Sequence, residues 1–132
     1  MKSYMRTRSS VPPEAFALFE RATELVASVY WDTAPGGDLV RCHELARAVG
    51  RVLNLEVVDG QFHAWDHSWL IVPRCVLDVY AVGQEPMVLL VDELVAKRAY
   101  KPLRGRTDIR LDVVDLLVEK MCGLTVERRA RG

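Results

Sequence analysis

Three side chains in this sequence have the types and spacing for nucleophilic chemistry: Cys42, His67 and Asp78. A thiol attacks as its thiolate, an imidazole can take and return the proton, and a carboxylate can hold that imidazole in one tautomer. Cys42 falls on the apolar stripe of a helix expected over Asp38–Leu53, together with Leu45, Ala46, Val49, Val52 and Leu53. It lies near the N-terminal end, where the helix dipole and unpaired backbone N–H groups favour a thiolate and could also hold an oxyanion. The competing reading is that Cys42 is a small core hydrophobe.

Parity tests the other two. Ser68–Val72 and Val76–Val82 read as the strands of an antiparallel hairpin around Pro73-Arg74. If that turn has two residues, Val72 faces Cys75, Trp69 faces Asp78 and His67 faces Tyr80. His67 and Asp78 are then diagonal neighbours on one face; a three-residue turn would separate them. Asp78 interrupts the apolar run VLDVYAV, and a buried carboxylate without a partner is costly. His67 is the simplest partner, and a solvated strand edge or a loop amide is the alternative.

The elements that must position these residues follow in order. Residues 1–12 read as a flexible segment ahead of Pro12-Pro13, and Phe16, Phe19, Ala22, Leu25, Val26 and Val29 mark a helix over Glu14–Tyr30. Trp31–Gly37 is expected as a loop, the Asp38–Leu53 helix carries an N-cap candidate in Asp38, and Asn54 ends it. Leu55–Phe62 reads as a strand bending or ending near Asp59-Gly60, and Met87–Val91 as a further short strand. Asp92–Ala99 is expected to make a helical turn or two, and Lys101–Asp108 a loop. Leu111, Val114, Leu117, Val118 and Met121 define a last helix that Gly123 should close, which leaves 13–123 as one domain and 124–132 as a basic tail.

Composition narrows the function. The chain has 132 residues, 50% of them hydrophobic, which suits one core and one site. Lys plus Arg and Asp plus Glu each total 18, so there is no electrostatic footprint for nucleic acid or an anionic membrane. No apolar run approaches the roughly 20 residues of a membrane span, and Met1–Pro13 lacks the apolar centre of a signal peptide. The 3 cysteines have no CxxC spacing, which fits a reducing cytoplasm without disulfides. No Gly-rich phosphate loop follows a strand, so no nucleotide site is expected. His63 and His67 make an HxxxH pair that with Cys42 or Asp66 suggests zinc, but HAWDH lacks the glutamate of HExxH, and strand histidines four apart share no helical face. His63, Trp65 and Asp66 are expected at the mouth of the site, where they can touch substrate; His43 is expected in solvent, and Cys75 and Cys122 as packing residues. Tyr100–Arg106 reads as a basic loop beside the cleft or as a solvated connection.

The order cysteine helix, strand, histidine strand, aspartate strand resembles the papain-like superfamily, most closely its transglutaminase-like core. The carriers are Val40-Arg41-Cys42-His43-Glu44-Leu45-Ala46, Leu53–Gly60, His67-Ser68-Trp69 and Leu77-Asp78-Val79, within residues 39–83. The resemblance implies an α+β fold with a small antiparallel sheet packed on the cysteine-bearing helix. It further implies a Cys42 nucleophile, a His67 base and acid, and an Asp78 that sets the tautomer. The reaction would be hydrolysis or acyl transfer at a peptide or protein amide through a thioester, with no cofactor. The chain departs from that pattern in its small size and in lacking an upstream oxyanion donor. Tyr30 or Trp31 could supply one, or could simply pack in the core. The rival from another class is a silent interaction module that retains the triad as a buried polar cluster. The oligomeric state and the choice of acceptor are not legible.

Overall fold

A computed structural model describes residues 11–29, 40–79 and 86–131, with the side chains of 95 and 124–131 outside that description. The elements are α1 (Pro13–Val29), α2 (Cys42–Leu53), β1 (Glu56–Phe62), β2 (Trp65–Val72), β3 (Cys75–Asp78), β4 (Met87–Leu90), α3 (Leu94–Ala99), β5 (Tyr100–Pro102) and α4 (Leu111–Arg131). The strands form one antiparallel sheet in the order β4-β3-β2-β1-β5. The architecture is α+β, as the sequence predicts.

Local sequence explains the boundaries. Proline at the first helical position of α1 lacks only an N–H that no helical carbonyl would accept. Its buried residues are the expected stripe, Phe16, Phe19, Ala22, Leu25, Val26 and Val29 among them. Asn54 ends α2 in the left-handed conformation (φ 57°), which asparagine tolerates, and its N–H returns to the Gly50 carbonyl. Between β2 and β3, Arg74 takes φ 71° after Pro73, and the turn has two residues, so Val72 pairs with Cys75 and Leu70 with Leu77.

That register divides the sheet into two faces. Leu70, Cys75, Leu77 and Val79 join α1, α2 and α4 in the larger core, around the fully buried Leu45, Val49, Val114 and Met121. Trp69, Val76, Met87 and Leu89 point to the other face, where Ala96, Ala99 and Tyr100 cover them. His67 shares its parity with Trp69, and Asp78 with Val76.

Four boundary expectations need correction. First, α2 begins at Cys42, not Asp38, which lies outside the described residues. Arg41 is the N-cap, in extended backbone, and makes no side-chain cap bond, since a guanidinium has no acceptor for a backbone N–H; it donates to Glu44 instead. Second, Tyr100–Pro102, the start of the expected loop, is an edge strand on β1, pairing Phe62 with Tyr100 and Gly60 with Pro102. A proline is tolerated at an edge, and a three-residue strand with a distant partner leaves no periodicity to read. Third, Gly123 lies inside α4 and does not close it. A Cβ there would meet nothing within 4 Å, and an isolated helical glycine costs only about 1 kcal/mol. Fourth, β2 starts at Trp65 rather than Ser68, and β3 ends at Asp78; residues 80–82 of the expected strand, with Tyr80, lie outside the described residues.

Gly60 is where β1 and β5 meet most closely. A Cβ there would overlap the Lys101 carbonyl oxygen and lie 2.9 Å from Pro102 Cα. Gly60→Ala is therefore expected to lower stability by roughly 1–3 kcal/mol in urea unfolding, as overpacking against backbone does. Gly123→Ala, in open space, should be neutral or stabilising by up to about 1 kcal/mol.

Candidate active site

Cys42 is the first residue of α2, and it is 6% exposed. The helix start is held by Glu44, which is buried and accepts Arg41 Nε (2.8 Å) and the Arg110 N–H (3.1 Å). Arg41 reaches on to Asp108 at 3.3 Å, which ties α2 to the segment preceding α4. Burial works against the Glu44 carboxylate, but Arg41 and the Arg110 N–H outweigh it and hold its pKa below the usual range. The sulfur is thereby placed beside the positive end of the helix.

His67 and Asp78 meet as the parity argument requires. His67 Nε2 lies 2.9 Å from both carboxylate oxygens of Asp78. Asp78 is 1% exposed on an inner strand, so it does not lie at a solvated edge. Tyr100 on β5 donates its hydroxyl to Asp78 Oδ2 at 2.6 Å. Burial, and then the Asp78 charge, push the Tyr100 pKa far up, so this hydroxyl remains a donor. The His67 ring stacks on Trp69 at 6.2 Å and lies 5.7 Å from Phe62.

The Cys42 thiol and the His67 imidazole interact, each shifting the titration of the other. Burial disfavours both charges, yet the pair prevails. Contacts with His43 and His67 lower the Cys42 pKa to about 6. Asp78 and the thiolate raise that of His67 to about 9. Between these values the two are held as thiolate and imidazolium, and the apparent constants belong to the pair.

His43 is a correction. Expected in solvent, it is 6% exposed, and its Nδ1 lies 3.7 Å from Cys42 Sγ and 2.7 Å from Ser68 Oγ. Ser68 donates to Asp59 Oδ1 at 2.6 Å, and Asp59 Oδ2 accepts Arg47 Nη2 (2.6 Å) and the Arg106 N–H (2.9 Å). Burial raises the Asp59 pKa, but Arg47, Ser68 and the Arg106 N–H bring it down to about 2. Sequence reasoning missed His43, Ser68, Asp59, Arg47 and Tyr100. A signal existed for two of them: Asp59 and Ser68 are polar at positions whose parity matches Val57 and Leu70, on the face that receives α2.

The remaining candidates stand apart. His63 and Trp65 are exposed at the β1–β2 turn, Trp65 at 70%, and no described contact joins either to Cys42, His67 or Asp78. His63 takes φ 54° there, and its N–H donates to the Ala99 carbonyl at 2.7 Å. Tyr30 and Trp31 lie outside the described residues. The basic loop is partly consumed internally, since Arg106 pairs with Asp108 (2.7 Å) and Asp66 (3.7 Å). Cys75 is buried and Cys122 exposed. Among the described residues no three His, Cys, Asp or Glu side chains are grouped to hold a metal, and no helix is long and apolar enough to cross a membrane.

Comparisons with protein-family models, with curated proteins and with solved structures gave no match.

Two outcomes follow from the carboxylates. Asp78→Ala leaves the Tyr100 hydroxyl and His67 without their acceptor, so urea unfolding should show a loss of about 2 kcal/mol. Asp59 has a folded pKa near 2, below the unfolded value of about 4, so its contribution is complete above pH ~4 and lost as the pH falls through ~2. The acid loss of stability between those limits should be shallower in Asp59→Asn than in the native chain.

Proposed function

We propose that this chain is a thiol-dependent hydrolase or acyltransferase acting on a peptide or protein amide, built on a papain-like, transglutaminase-like core and working in the cytoplasm. The observation that carries the reading is the buried series Cys42, His67, Asp78, with His67 Nε2 2.9 Å from the carboxylate and the thiol and imidazole shifting one another's titration. Asp78 keeps the imidazole oriented and positively charged, and the imidazolium keeps the sulfur ionised. The thiolate attacks the amide carbon, a C–S bond forms, and the oxyanion is met by N–H groups of the first turn of α2, which have no acceptor within the helix. His67 gives its proton to the leaving nitrogen as the C–N bond breaks. Water or an amine then resolves the thioester. His63 and Trp65, exposed near the turn that leads into the histidine strand, are available to a protein substrate.

One observation favours the second reading, a silent interaction module. Cys42 is 6% exposed, as a core cysteine would be. Iodoacetamide labelling read by mass spectrometry separates the two. At about pH 6.5 an ordinary thiol is roughly 1% ionised, so Cys42 should label at least about tenfold faster than the exposed Cys122 and lose that advantage in His67→Ala. Labelling of Cys42 no faster than Cys122 would leave the module.

A further inference from the structure

The thiol has a second imidazole, and that one also has a carboxylate behind it. His43 Nδ1, Ser68 Oγ and Asp59 Oδ1 are joined at 2.7 and 2.6 Å, and all three residues are buried. Proton counting settles the direction. The single hydroxyl proton of Ser68 goes to Asp59, so Ser68 Oγ accepts, and His43 Nδ1 must be the donor. In the neutral ring Nε2 then carries the lone pair, and it lies 4.0 Å from Cys42 Sγ. The Nδ1 proton is committed mainly to Ser68 at 2.7 Å, so the more distant sulfur, at 3.7 Å, meets the edge of the ring.

His67 and Ser68 are consecutive on β2 and therefore point to opposite faces. The carboxylates do the same: Asp78 serves His67 from one face, and Asp59 serves His43 through Ser68 from the face covered by α2. Two imidazoles, each oriented by a carboxylate on its own side of the sheet, thus bear on one sulfur. The charged and polar groups around them are Arg47, which also donates to the His43 carbonyl, Glu44 and Arg41 at the helix start, Arg106 beyond Asp59, and Tyr100 beyond Asp78.

Resting on the thiol chemistry proposed above, we infer that His43 is a second catalytic base, which takes the proton of the acyl acceptor during thioester resolution while His67 serves the leaving amine. In acylation the C–S bond forms, the C–N bond breaks, and the His67 proton leaves with the amine. In deacylation the acceptor, water or a primary amine, adds to the acyl carbon one bond beyond sulfur. Its proton passes to His43 Nε2, directly or through one water, and the C–S bond breaks to return the thiolate. His43 then loses its proton to solvent and His67 regains one, so each turnover closes. The tautomer set by Ser68 and Asp59 gives Nε2 the lone pair this step requires.

The test uses 4-nitrophenyl acetate as probe, because its leaving group departs without a proton and acylation is read apart from deacylation. In the native chain a burst of nitrophenolate reports acetylation of Cys42, and the steady rate reports its hydrolysis. The assay is run at pH ~9, where even an ordinary thiol is mostly ionised, so loss of the His43 contact that lowers the Cys42 pKa does not remove the nucleophile; in His43→Asn, which can still donate to Ser68, the burst should then persist. The steady rate should fall about 100-fold, at the lower end of general-base effects, and acetyl-Cys42 should accumulate by intact mass. A steady rate within twofold of native, or loss of the burst in a folded variant, overturns the inference. If His43→Asn does not fold, Ser68→Ala decides in the same way, since it releases the tautomer without removing the ring. Absence of a burst in the native chain defeats instead the thiol reading on which the inference rests.

Discussion

A carboxylate buried between strands dictates much of this fold. Asp78 is almost wholly removed from water, where an unpartnered charge would cost several kcal/mol. Its two oxygens are satisfied by an imidazole from β2 and a phenol from β5. Those partners belong to strands that flank neither other in the sheet, so the requirement links the hairpin register to the far edge. Trp69 and Phe62 close around the same rings and keep the local dielectric low. That exclusion strengthens the charge interactions His67 makes.

Much of this was legible because it depends on alternation and on one turn. The α1 stripe, the cysteine on α2, and the convergence of His67 with Asp78 all follow from local periods of 3.6 or 2 and a two-residue turn at Pro73-Arg74. What stayed hidden depends on contacts distant along the chain. Tyr100 reaches Asp78 only because a three-residue strand pairs with β1, and nothing near Tyr100 announces it. His43 was misread for a different reason: helical periodicity sorts apolar from polar, and a polar residue facing a buried polar layer looks the same as one facing water. The start of α2 was misplaced because the residue at its N-cap, Arg41, carries no capping acceptor; its guanidinium is held by Glu44 and Asp108, contacts that no local capping pattern announces.

The two faces of the sheet divide the labour. The larger core, packed by three helices, provides rigidity behind α2, while the smaller cluster around Trp69 and Tyr100 supports the imidazole. Cys42 stands at the boundary between them, reached by a histidine from each system. The chain commits buried polar residues heavily here, and among the described residues none of their side-chain nitrogen or oxygen atoms lacks a hydrogen-bond partner. Such satisfied networks favour one arrangement over near alternatives, since any slip would strand several charges at once.

The β5 strand has a consequence beyond its tyrosine. It forms one border of the sheet, runs for only three residues, and ends in Pro102, which has no N–H to offer. A stranger's backbone arriving there would find few groups to zip against, so this rim discourages runaway stacking into fibrils. The same residues that complete the Asp78 environment therefore also act as a hem, stopping the weave from growing outward.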